Sequence, residues 1–106
     1  MAFLSAEGEI KEKTREKTDV KIRMPRHYQV IMHNDDFTSM EFVVNILMEI
    51  FQKDAVEAER LMLLVHHRGS APAGLYPYDI AVTKAAAAVS RAKEEGFPFR
   101  MTVEEA

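Results

Sequence analysis

Two short clusters hold most of the side chains that could do chemistry in this 106-residue sequence: His33-Asn34-Asp35-Asp36 and His66-His67. Three consecutive oxygen-bearing residues are the ligands a hard cation uses. A calcium loop, however, presents them at alternate positions and closes on a distant bidentate glutamate, and that spacing is absent. Neighbouring helical residues point about 100° apart, so His66 and His67 cannot share a zinc ion as an i, i+4 pair does. No metal or other cofactor is expected. What the clusters share is acceptor capacity. Two carboxylates, an amide carbonyl and a neutral imidazole nitrogen would, if they converge, suit an ammonium group with three donors, and a peptide α-amino group is such a cation. The competing reading of His66 is a contact to the last carbonyls of its own helix. No GxSxG elbow, phosphate-binding loop or dinucleotide fingerprint occurs, so no catalytic residue is expected. A metal-dependent hydrolase using Asp35, Asp36 and His66 is the enzymatic alternative.

Positioning these groups falls to the elements around them. His27 to His33 (HYQVIMH) is rich in strand formers, with apolar residues on both faces, and reads as a largely covered strand ended by the turn-favouring Asn34-Asp35-Asp36. Thr38 and Glu41 have capping-box spacing, so a helix should begin at about Ser39. Val43, Ile46, Leu47, Ile50 and Phe51 then repeat at helical intervals, predicting a helix to about Gln52. Asp54 and Glu57 repeat the box and open a second helix with Ala58, Leu61, Met62 and Val65 on one face and Gly69 as its stop. Met40 and Val43 on the first helix, and Met62 and Val65 on the second, are either plain core or the wall of an apolar pocket beside the acceptors. Ser70 to Pro77, with two prolines and a glycine, predicts a short edge strand. Asp79 can cap a third helix through the alanine-rich stretch to Gly96. Phe97 to Val103 reads as a last strand with Phe97, Phe99, Met101 and Val103 on one side. The order β-α-α-β-α-β fits an α+β fold, a three-stranded antiparallel sheet packed with three helices.

Charge separates one end of the chain from the rest. Met1 to Arg23 carries six basic residues and five acidic ones with few large apolar side chains, too little to offset the entropy of ordering. A flexible N-terminal arm over 1–24 and a core domain over 25–106 are expected, divided at Met24-Pro25, where proline pushes the preceding residue toward extended geometry. By composition the arm reads as a solvated tail; the functional alternative is a handle for a partner. The absence of cysteine excludes disulfide scaffolds, thiol nucleophiles and Cys-based metal centres. A net charge of −3 argues against binding nucleic acid through phosphate contacts. No apolar run is long enough to span a bilayer, and the first residues lack the pattern of a secretory signal. A cytoplasmic monomer whose partners are proteins or peptides is expected.

The segments Tyr28 to Val43 (YQVIMHNDDFTSMEFV) and Leu61 to His66 (LMLLVH), followed by Thr83-Lys84, resemble the ClpS family of adaptors, which deliver N-degron proteins to Clp AAA+ proteases. The resemblance implies a non-catalytic protein in which Asn34, Asp36 and His66 hold the substrate's α-amino group, with Asp35 shaping the same acidic rim. Met32, Thr38, Met40, Val43, Met62, Val65 and Phe99 would line a pocket for a first residue such as Leu, Phe, Tyr or Trp, with Met40 as gatekeeper against β-branched side chains. Asp79 and Lys84 would contact the N-terminal domain of a ClpA-type AAA+ unfoldase, and the charged arm would be engaged during handover. Three positions depart from the family's usual residues: Asp79 for Glu, Phe99 for a smaller Leu, and His67 for a residue that is often aromatic. An AAA+-docking regulatory module without N-degron binding is the remaining alternative.

Overall fold

The computed structural model describes residues 26–106; the arm expected over 1–24 lies outside the described residues. Strand β1 (His27–His33) is central, flanked by β2 (Ser70–Pro77) and β3 (Arg100–Glu105), both antiparallel to it. Helices α1 (Met40–Glu49), α2 (Ala55–Arg68) and α3 (Tyr78–Glu94) complete the β-α-α-β-α-β order. The architecture is the α+β arrangement read from the sequence.

The two-residue period of β1 sends Val30 and Met32 to the helical side, where both are fully buried. Ile46 and Leu47 of α1 and Ala58, Leu61, Met62 and Val65 of α2 meet them in one core. The alanines of α3 lie flat on the sheet, with Ala81, Ala85, Ala88 and Ala92 buried at helical spacing. β2 is an edge strand, as its prolines require, though it runs the full eight residues. Its register against β1 shifts between Val30 and Ile31, whose partners are Gly74 and Pro72.

Four local readings are corrected. Ser39, one residue after the expected cap, closes α1: its hydroxyl accepts from the Phe42 amide at 3.1 Å, because Thr38 is engaged by Asp35. α1 stops at Glu49 rather than Gln52, where the chain turns through a left-handed φ of 53°, while Phe51 still enters the core at 2% exposure. Asp79 does not cap α3. Pro77 occupies the N-cap without a side-chain bond, and Asp79 sits in the first turn, where its charge still complements the helix dipole. β3 begins at Arg100 instead of Phe97, since Pro98 has no amide to give a sheet ladder. Phe97 and Phe99 instead pack edge-on against Phe42, with ring centres 5.2 and 5.9 Å apart. The Asp54 cap and Gly69 stop of α2 form as expected, the Asp54 carboxylate accepting from the Glu57 amide at 2.8 Å and Gly69 taking a φ of 90°.

Candidate functional site

Between the end of β1 and the start of α1 the chain must turn within six residues, and Asp35 organises that turn. Its Oδ1 accepts from the Phe37 and Thr38 amides at 2.8 and 2.7 Å, and its Oδ2 from the Thr38 hydroxyl at 2.7 Å. Partial burial works against ionisation of Asp35, but the hydrogen bonds from Thr38 and Phe37 outweigh it and hold its carboxyl below the usual value. Three of its acceptor positions are thus committed to the loop. Asp35 shapes the rim more than it offers free acceptors to a ligand.

A second tie joins this turn to α2. The Asn34 amide donates to the Gly69 carbonyl at 2.8 Å, one turn beyond His66. Gly69 reverses the chain at the helix end in a left-handed conformation that disfavours any side chain. The acidic turn and the His66 end of α2 are therefore pinned side by side, although more than thirty positions separate Asn34 from Gly69 in the chain. The carbonyl that does this was not legible in the sequence; Gly69 was recognisable only as a helix stop.

The two segments enclose a cavity of about 220 Å³. Asn34, Asp35, Asp36 and His66 form its polar rim, and Thr38, Met40, Val43, Met62 and Val65 its wall. Val43, Met62 and Val65 are buried, whereas Met40 is 46% exposed, at the mouth. The cavity is smaller than the roughly 300–1,000 Å³ of pockets that hold drug-sized molecules. It suits one side chain with an adjacent cationic group. A larger, more polar groove of about 470 Å³ lies along α1 and the end of α3, crossed by an Arg91–Glu49 ion pair. Volume does not identify the site: of these two hollows, the smaller is the one that joins an acceptor rim to an apolar wall.

Two residues expected in the pocket are buried in the core. Met32 is fully buried in the core, and Phe99, 5% exposed, faces Phe42; neither lines the cavity. The inward-facing side of a strand is filled by packing across the sheet, which Met32 joins. Phe99 is carried away because it precedes β3 instead of lying in it. His67 is exposed, its ring edge-on to His66 at 5.3 Å. Among the described residues no three His, Asp or Glu side chains are grouped as a metal site, and no helix is long and apolar enough to cross a membrane.

Asp79 and Lys84 lie on α3, outside the cavity. Asp79 is exposed, and its backbone carbonyl accepts from the Thr83 hydroxyl at 2.8 Å. Lys84 is half-buried and turned toward the end of α1.

Comparison with known proteins gives the family. The model of the family described as "ATP-dependent Clp protease adaptor protein ClpS" matches residues 23–102. The ClpS adaptor of Nitratidesulfovibrio vulgaris (strain DP4) is 50% identical over 84 residues, 79% of this chain and 81% of the relative. That of Oleidesulfovibrio alaskensis is 45% identical over 96 residues, covering 87% and 92%. The solved structure of Agrobacterium tumefaciens ClpS2 bound to L-phenylalaninamide superposes with a TM-score of 0.75 at 38% identity, covering 78% of this chain and all of the other. With the family model spanning most of the chain and the relatives matching over most of their own lengths, the chain belongs to the ClpS family of adaptors of the ATP-dependent Clp protease.

Proposed function

We propose that this adaptor captures proteins bearing a free N-terminal Leu, Phe, Tyr or Trp and delivers them to a ClpA-type AAA+ unfoldase for degradation. The observation that carries the reading is the meeting of an acceptor rim and an apolar wall in one small cavity. Asn34, Asp36 and His66 receive the α-amino group, Asp35 holds the rim in shape, and Met40, Val43, Met62 and Val65 surround the first side chain. The ligand of the Agrobacterium relative supports this assignment. L-phenylalaninamide carries a free α-amino group and a benzyl side chain, with a neutral amide where a peptide continues.

Neither half of the site suffices alone. Burying a Leu or Phe side chain contributes about 1.5–3 kcal/mol, below the ~4–15 kcal/mol association cost in lost translational and rotational freedom. Hydrogen bonds to a charged amine, each worth about 1.5–3 kcal/mol, supply the rest and make a free N-terminus obligatory. No bond is made or broken in this role. The adaptor acts in the cytoplasm as a monomer, presenting α3 and the charged arm to the unfoldase.

The test is a set of short peptides that differ only in the first residue, each with a free or acetylated amine and a fluorophore at the far end. The protein has no tryptophan, so anisotropy of the peptide label is the direct readout. Free-amine Leu, Phe, Tyr and Trp peptides should bind, while their acetylated forms and an Ala-initiated peptide should not. Equal binding of acetylated and free peptides would remove the amine-recognition model and favour a module that docks on the ATPase without reading N-termini.

A further inference from the structure

The residues that follow α1 pair most of its last carbonyls: the Ile50 amide donates to the Ile46 carbonyl at 2.8 Å, the Lys53 amide to that of Leu47 at 2.9 Å, and Gln52 Nε2 to that of Glu49 at 3.3 Å. No basic residue stands in its last turn, however, to meet the negative end of the helix dipole. The missing cation comes from α3. Lys84 Nζ donates to the Ile50 carbonyl at 2.6 Å and to Gln52 Oε1 at 2.8 Å. It also stands over two rings, 5.2 Å from the centre of Tyr76 and 5.9 Å from that of Phe51.

Two of these partners are themselves held in an unusual way. Gln52 has a φ of 53°, a left-handed conformation that non-glycine residues seldom adopt. Tyr76 lies so close over Gly74 that a Cβ there would come within 2.5 Å of its hydroxyl oxygen. The cluster thus joins α1, β2 and α3 through a single ammonium. A second link between α3 and the same end of α1, Arg91 to Glu49 at 2.6 Å, is solvent-exposed, where ion pairs hold weakly.

We propose that Lys84 is a positioning residue of the peptide cavity: it fixes the C-terminal end of α1, and through that helix the placement of Met40 and Val43 in the cavity wall. α1 is about 15 Å long, short enough to move as one rod, so a loosened end displaces the residues at its start. The inference rests on reading the cavity as the peptide site. It also means that a substitution at Lys84 does not isolate unfoldase docking, because the same change reaches the peptide pocket.

The experiment uses the full chain with Lys84→Met, Lys84→Arg and Asp79→Ala, measuring anisotropy of a labelled Phe-initiated peptide together with thermal unfolding. Met keeps the unbranched stem that covers the rings but removes every N–H donor; Arg restores a cation with donors. Lys84→Met should bind the peptide roughly threefold or more weakly, as expected if part of a charged hydrogen-bond contribution reaches the pocket. Lys84→Arg should recover at least part of that loss, and Asp79→Ala should bind like the parent. A Lys84→Met protein with parental peptide affinity, whatever its thermal midpoint, overturns the positioning role. So does an Arg variant as weak as Met. A parent that fails to bind the peptide overturns the reading of the cavity itself, and this inference with it.

Discussion

Asp35 can serve the proposed binding site through the turn it closes. Its carboxylate closes the turn that presents Asn34 and Asp36, and the ionised form does so best, since both oxygens accept. Hydrogen bonding to the charged form places its folded-state pKa below the ordinary value of 3.8. The stability it lends is therefore complete above that value and disappears as the pH falls through the folded-state pKa. Asp35→Asn, which replaces one acceptor oxygen by a donor, should lower the thermal midpoint at pH 7, and the gap from the parent should begin to narrow once the pH falls below 3.8. A gap that stays constant between pH 7 and pH 3 would show that the turn does not depend on the charge. The residue types of the rim were legible in the sequence as acceptors near a turn. The division of labour between Asp35 and its neighbours was not, because it depends on where the Thr38 hydroxyl points once Ser39 has taken the cap.

Among the elements, α2 carries the plainest instructions. An Asp54 cap, an apolar stripe and a terminal glycine were each readable because helix signals act over three or four residues. Gly69 has a further use in holding the Asn34 amide, so the helix stop also sets the spacing between His66 and the acidic turn. Gly69→Ala should cost about 1–2 kcal/mol, the penalty for a side chain in a left-handed conformation. The added methyl would meet nothing within 4 Å, so that penalty is the backbone's alone. Urea unfolding with an unchanged slope would measure it, and a loss near zero would mean that the end of α2 relaxes into another turn. The misread boundaries of α1 and β3 have the same origin. Ile50 and Phe51 continue the apolar period past the point where the helix stops, and Phe97 and Phe99 continue a strand-like alternation before the strand starts. Periodicity records which residues become buried, and burial is reached outside regular elements as well.

For the whole molecule, the proposed function divides between a domain that reads a substrate and a charged arm that hands it on. Removing residues 1–17 should leave binding of a Phe-initiated peptide intact while abolishing unfoldase-dependent degradation of a protein with that N-terminus. Loss of peptide binding itself would refute the division. By itself the sequence determined the order of the elements, most of the cavity's residues and the lack of thiol chemistry, all of which follow from residue type and local spacing. It also carried the family resemblance, in two segments that fold to opposite sides of one cavity. Only the tertiary structure decided that Met32 and Phe99 belong to the core, that Asn34 hangs on the Gly69 carbonyl, and that the Lys84 ammonium is engaged by the end of α1. Those contacts join positions more than thirty residues apart, and no local spacing encodes them. They are set by the packing of helices on the sheet, which fixes the direction of each side chain only after the chain has folded.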